Sequence, residues 1–308
     1  MTTAIRRAAG PAAVALGLVV SLGACSQTPA PAATGAGQVD LSKISTQVPP
    51  LAQDAAAAAL LPASIQSSKV LKVAIPTNEP PTQFYQEGTQ DLVGLNPDMA
   101  RLLGEALGVK VEISVANFDA IIPGIAAGRY DATVSSMSPT AERGKVLDFV
   151  DYVQFGSGVA VAKGNPLGLT EKTLCGKKVG FLTASYQLRT DVPDFDKACQ
   201  TAGKDKIQTS EFQDTRQAIS ALASGRLDAV LADSPIVNYA ATQNPDIEIG
   251  ATYGVADVGI GLAKEQGLVK AVAKAMATVI HSDAYATVLK RYGLQSGAVT
   301  EASVNKFQ

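Results

Sequence analysis

The densest run of chemistry-bearing residues is Ser135-Ser136-Met137-Ser138-Pro139-Thr140-Ala141-Glu142-Arg143, directly after an apolar, β-branched stretch. Hydroxyls and backbone amides at a strand-to-helix turn make a donor-rich nest for an anion, and Arg143 adds a planar fork that fits a carboxylate. The same residues also suit a plain helix N-cap with Arg143 at the surface. Chemistry beyond binding would require a general acid or base over the bound molecule. Glu79 is the one candidate for that role; the single histidine, His281, falls in a C-terminal helical region and reads as structural or surface. Cys175 and Cys199 lack metal-ligand spacing, so no metal or cofactor is expected and no catalytic residue is assigned.

These side chains need elements to carry them. Short β-branched runs alternate with helical stretches over residues 70–75, 97–107, 110–115, 120–127 and 132–135. That is the βαβ pattern of a mostly parallel sheet with helices on its faces. The pattern restarts at Lys178-Val179-Gly180-Phe181, which opens a second unit as Lys72-Val73-Ala74-Ile75 opens the first. Ile125-Ala126-Ala127-Gly128-Arg129-Tyr130-Asp131-Ala132 is echoed by Leu222-Ala223-Ser224-Gly225-Arg226-Leu227-Asp228-Ala229. Each reads as a helix end closed by glycine, then a turn and a new strand. Five residues past the shared Asp stand Ser136 and Asp233. Equivalent lobes would put both at carboxyl ends of strands, where open α/β sheets bind ligands, and two such edges facing each other form a cleft.

Arg6 and Arg7 precede a chargeless apolar stretch, residues 8–22, which is the plan of an export signal. The stretch is shorter than the ~20 residues that span a bilayer. It ends in Leu22-Gly23-Ala24-Cys25, which resembles the bacterial lipobox. Residues 1–24 would then be a removed signal peptide, and Cys25 a lipid-bearing (palmitate) anchor at the outer side of the cell membrane. Residues 25–68, rich in Ala, Pro, Ser, Thr and Gln, read as a flexible tether, with the alanine run 55–59 open to forming a short helix. Roughly 240 residues from position 69 onward suffice for two lobes with real cores. A formal net charge of −2 without a basic block argues against nucleic acid as a partner. Beyond an export signal Cys175 and Cys199 are expected to pair as a disulfide; two buried free thiols are the alternative.

Six segments carry a resemblance: Gly94-Leu95-Asn96-Pro97-Asp98-Met99-Ala100, Phe118-Asp119-Ala120-Ile121-Ile122-Pro123-Gly124, Ser136-Met137-Ser138-Pro139-Thr140-Ala141-Glu142-Arg143, Asp148-Phe149-Val150-Asp151-Tyr152, Gly176-Lys177-Lys178-Val179-Gly180, and Gly225-Arg226-Leu227-Asp228-Ala229-Val230-Leu231-Ala232-Asp233. In this order and spacing, from about residue 71 to 294, the chain resembles the bacterial extracellular solute-binding proteins for polar amino acids that serve ABC importers.

The resemblance implies an α/β, two-lobe, periplasmic-binding-protein-like clamshell, each lobe a mostly parallel sheet flanked by helices. Lobe 1 would take residues 69–158 and 254–308, lobe 2 residues 159–253, with hinge crossovers near Gly158 and Gly254. It implies a monomer without enzymatic activity that captures a small polar solute, an amino acid, and hands it to an ABC permease in the membrane. A sensor that presents its ligand-bound form to a membrane receptor and a dehydratase-like enzyme on the same fold are the rival readings. Matching positions give Arg143 the ligand α-carboxylate, helped by Ser136 and Ser138, and give Asp233 the α-ammonium. Ser135 contributes to the same end, Phe118 stacks on the aliphatic part, and Ser185-Tyr186 touch the ligand from the second lobe. One departure concerns specificity: the family usually places an aromatic before Pro-Pro, where this chain has Glu79-Pro80-Pro81 and then Thr82. Glu79 is either an acid for a cationic ligand side chain or a rim residue on a rearranged loop.

Overall fold

The computed structural model describes residues 40–42 and 44–308. The expected signal peptide (1–24), Cys25 and the tether up to residue 39 lie outside the described residues. From residue 41 the flexible tether expected to reach residue 68 gives way to a docked segment. Leu41, Ile44, Ala57, Leu61 and Ile65 are buried in the largest apolar core. Two short helices, α1 (Ala55–Ala58) and α2 (Ala63–Ser68), carry the second half of it. Asp54 Oδ1 accepts the Ala57 N–H at 2.9 Å and so caps α1, while its other oxygen accepts the Thr278 hydroxyl at 2.8 Å. Average composition, which suggests disorder, is overridden because most of the few large apolar side chains find a surface to bury against, Leu60 being the exception at 45% exposed.

The first lobe then builds from β1 (Val70–Ile75), a small hairpin of β2 (Phe84–Tyr85) and β3 (Leu92–Val93), α3 (Leu95–Leu107), β4 (Lys110–Val115), α4 (Phe118–Ala126) and β5 (Ala132–Met137). β1 runs parallel to β4 and to β5. α3 is buried on nearly every side because it packs on the sheet and also on α1 and the late helices. It stops at Gly108, whose φ of 65° is the left-handed conformation that closes helices.

β6 (Leu147–Ala162) leads to the second lobe, made of β7 (Lys178–Leu182), α5 (Val192–Thr201), β8 (Gln208–Phe212), α6 (Thr215–Ala223), β9 (Ala229–Asp233) and α7 (Ser234–Gln243). β10 (Ile247–Ala263) returns, and α8 (Val269–Ile280) and α9 (Asp283–Arg291) pack on α3. The sheet order is β4-β1-β5-β10-β6-β9-β7-β8, so each lobe holds three mutually parallel strands, joined through the antiparallel pair β6 and β10. That pair is zipped from Ile247↔Ala162 to Ala263↔Leu147, with register shifts at Ile249/Ala251, Tyr253/Ala256 and Val258/Gly259. Gly156 is required at the closest approach: a Cβ there would lie 2.7 Å from the Gly254 carbonyl oxygen. One core surrounds β1, α3 and α8, whereas two others cover the faces of the β7–β9 sheet, and these are the two lobes of the α/β fold.

The echoed turns have a physical explanation. Asp131 accepts the Lys72 N–H on Oδ2 at 2.8 Å while its own N–H donates to Lys72 O at 2.9 Å. Asp228 does the same to Lys178, at 2.8 Å in both directions. Each Asp therefore locks the start of its strand against the first strand of its lobe. Cys175 and Cys199 are bonded, tying the approach to β7 onto α5 across 24 positions; a loop of this size contributes about 3 kcal/mol by chain entropy.

If the segment ahead of β1 is part of the folded body, Ile65→Ala should lower the unfolding free energy by roughly 2 kcal/mol. An unchanged midpoint in denaturant would mean that this segment hangs free.

Candidate functional site

The lobes enclose a small cleft with a free interior of about 20 Å³. Glu79, Phe118, Ser135, Ser136, Ser138 and Arg143 line it from the first lobe, and Ser185, Tyr186 and Asp233 from the second. All the residues singled out in the sequence for ligand contact thus share one cavity. Ala232, from the segment that ends in Asp233, completes the lining with Gln187, Thr215, Leu182 and Ile236, which had no motif to announce them. His281 lies elsewhere, exposed at the end of α8 with Nδ1 2.7 Å from Ala277 O. Among the described residues no group of three or more His, Cys, Asp or Glu could hold a metal ion.

Arg143 follows β5 through a turn in which Thr140 Oγ1 accepts its N–H at 3.2 Å, and it opens a three-residue 3-10 turn, Arg143–Lys145, in place of the helix that an N-cap would start. The side chain does not go to the surface. Its Nη1 donates to Ser138 O at 2.8 Å, its Nη2 to Ala184 O across the cleft at 2.9 Å, and its guanidinium carbon lies 5.5 Å from the centre of the Phe118 ring. One planar group therefore touches both lobes and an aromatic face. Burial lowers its pKa to about 10, against the pull of Asp233 and Glu142, so it stays charged at neutral pH.

Asp233 ends β9, opposite Ser157 of β6. Gln187 Nε2 donates to its Oδ1 at 3.0 Å and to Ser157 Oγ at 3.1 Å. Burial raises the Asp233 pKa to about 6; the Gln187 hydrogen bond and the Arg143 charge oppose the rise without cancelling it.

Glu79 is only 2% exposed, which removes it from the rim. Oε1 accepts the Thr215 hydroxyl from the second lobe at 2.8 Å, and Oε2 accepts Gln83 Nε2 at 2.6 Å. The chain of hydrogen bonds continues: Asn96 Nδ2 donates to Gln83 Oε1 and, at 3.0 Å, to Ser136 Oγ. Tyr152 donates to Asn96 Oδ1 and its hydroxyl accepts the Ser136 N–H at 3.2 Å. Ser136 has φ 54°, a conformation costing a non-glycine residue about 1 kcal/mol, and this network holds it there. Gln83, Asn96 and Tyr152, fully buried behind the cleft, were not anticipated because single polar residues inside apolar segments carry no periodic signal. Burial pushes the Glu79 pKa up to about 7, helped by the nearby charges of Asp233 and Asp214 and opposed by Thr215.

Residues 71–295 match the family model of bacterial extracellular solute-binding proteins, family 3. Arginine-binding protein ArgT of Corynebacterium glutamicum is 27% identical over 250 residues, covering 80% of this chain and 82% of the relative. The lysine/arginine/ornithine-binding periplasmic protein of Escherichia coli is 30% identical over 213 residues, 66% of this chain and 79% of that one. Among solved structures, an ancestral arginine-binding protein bound to arginine superposes with a TM-score of 0.66 at 30% identity, over 73% of this chain and 98% of that chain.

Because Glu79 binds its proton more tightly folded (about 7) than unfolded (4.5), its stabilising effect is complete below pH 4.5 and lost as pH rises through 7. Ligand-free protein should therefore melt lower at pH 8 than at pH 5, and Glu79→Gln should flatten the difference by on the order of 3 kcal/mol. Parallel pH profiles for the two proteins would contradict this.

Proposed function

Because the chain belongs to the bacterial extracellular solute-binding proteins, family 3, we propose that it serves an ABC importer by binding an amino acid with a cationic side chain, without catalysing a reaction. The charge content of the cleft carries this reading: one cation, Arg143, faces two acids, Asp233 and Glu79. A zwitterion would balance one acid and the cation and leave the other acid unmatched, and an uncompensated buried charge costs several kcal/mol. An amino acid bearing a second positive charge balances all three.

In the proposed complex Arg143 takes the α-carboxylate with Ser136 and Ser138, and Asp233 takes the α-ammonium with Ser135 beside it. Phe118 covers the aliphatic stem, Ser185 and Tyr186 close from the second lobe, and Glu79 receives the distal cation. The relatives named for arginine, lysine and ornithine support this ligand class. Closure of the lobes would be the functional event, and the contacts Asn78 Nδ2 to Asp214 Oδ2 (3.3 Å), Thr215 to Glu79 and Arg143 to Ala184 are the kind that closure makes. Cys25 would hold the protein on the membrane by its lipid, with delivery to a permease.

Calorimetry with arginine, lysine, glutamine and glutamate tests the reading. Arginine or lysine should bind best. Arg143→Ala and Asp233→Asn should each weaken binding on the order of 100-fold or more. Glu79→Gln should cost arginine far more than glutamine; equal losses, or a native preference for glutamate, would defeat the charge argument.

A further inference from the structure

We infer that residues 303–308 form an external buttress that positions Arg143, with Phe307 as the positioning residue; the consequence for binding rests on Arg143 being the carboxylate clamp. Inside the cleft the guanidinium is held by two carbonyls, one of them on the other lobe, and by the face of Phe118, all of which act on the side chain and not on its backbone turn. The turn that carries it therefore has to be held from behind. Gln308 N–H donates to Pro139 O at 3.0 Å, at the start of the turn. The Phe307 ring lies directly on Gly144, the residue after Arg143: a Cβ on Gly144 would stand 2.4 Å from the ring. Lys264, the residue after β10, donates from Nζ to Gly144 O at 2.6 Å.

The buttress is itself anchored along β6. Val304 bridges Val150, Asp151 N–H donates to Ser303 O at 2.9 Å, and Asn305 N–H donates to Phe149 O at 3.0 Å. Asn305 also accepts the Phe149 N–H on Oδ1 at 2.8 Å and donates to Asp148 Oδ1 at 3.0 Å. Lys306 Nζ pairs with Asp257 Oδ2 at 2.8 Å, beside Asp151, a carboxylate only 2% exposed with neither oxygen hydrogen-bonded. Phe307 remains 40% exposed and meets the Phe149 ring edge-on at 6.4 Å. An aromatic this exposed adds little to a core; its placement on a glycine adjoining Arg143 is what needs explaining. A charged group holds its partner well only when its own geometry is fixed by surrounding contacts, and this segment supplies them from outside the residues the family shares.

The test uses the whole chain with arginine and argininamide, which differ in the α-carboxylate. Phe307→Ala should raise the Kd for arginine about tenfold while that for argininamide changes little, so the ratio between the two shrinks toward its value in Arg143→Ala. Phe307→Tyr should restore it. Equal weakening of both ligands, in step with the melting temperature, would show a merely structural role and overturn the inference. If Arg143→Ala leaves the ratio intact, or arginine does not bind, the clamp reading is what fails. Amide hydrogen exchange then still judges the buttress: Phe307→Ala should speed exchange over 139–146 selectively, and unchanged exchange there would dismiss it.

Discussion

Charge taken out of water must be met by something, and in this protein three charged side chains line one small cleft. None of them is paired with another by a direct ion pair among the described residues. Arg143 is met by two carbonyls, Asp233 by the Gln187 amide, and Glu79 by the Thr215 hydroxyl and the Gln83 amide. Fixed dipoles in place of opposite charges leave each ion partly satisfied. The raised pKa values of Asp233 and Glu79 and the lowered one of Arg143 are the signature of that incompleteness. A guest carrying both signs would supply what the dipoles do not.

The fold delivers these groups through repetition. The Gly-Arg-x-Asp turn occurs once per lobe, and in each the Asp clamps the first strand of its lobe by two backbone-directed hydrogen bonds. That fixes the register of β5 and β9, and therefore which residues emerge at their carboxyl ends: Ser135 and Ser136 in one, Asp233 in the other. The crossover strands then join the site to the hinge. Ser157 of β6 lies opposite Asp233 and shares Gln187 with it, while register shifts and the Gly156–Gly254 approach concentrate irregularity a few residues away. Movement of one lobe against the other would be felt at Asp233 through a single amide.

The parts of the site that were legible in the sequence are those that follow a strand directly in the chain. Ser136, Arg143 and Asp233 come within a few residues of apolar runs, so motif and position coincide. Gln83, Asn96, Tyr152, Gln187 and Thr215 act through space, from a hairpin, three helical segments and a crossover strand, and local pattern cannot bring such residues together. The same limit explains the docked segment before β1. Leu41, Ile44, Leu61 and Ile65 look isolated in a polar stretch, and they are buried in a core shared with α3 and α8, which lie far away in sequence. The βαβ alternation was readable because each strand's apolar run is local; the 16- and 17-residue lengths of β6 and β10 were not, since half of each strand belongs to a different lobe.

Glu79 makes demands on its surroundings that an apolar side chain would not. An aromatic at this place would cover a ligand by apolar contact and ask nothing of the residues behind it. A carboxylate there has to be hydrogen-bonded, and the buried chain from Thr215 through Gln83 and Asn96 to Ser136 does this. That chain reaches the turn that presents the proposed carboxylate site, so the two ends of a bound amino acid would be sensed by one connected set of side chains. It also makes one of the lobe contacts depend on an acid whose ionisation burial opposes. On the proposed reading, lobes closed over an ionised, unmatched Glu79 are penalised, and a cationic side chain removes the penalty. Selectivity for charge and dependence of closure on ligand would then have the same physical origin.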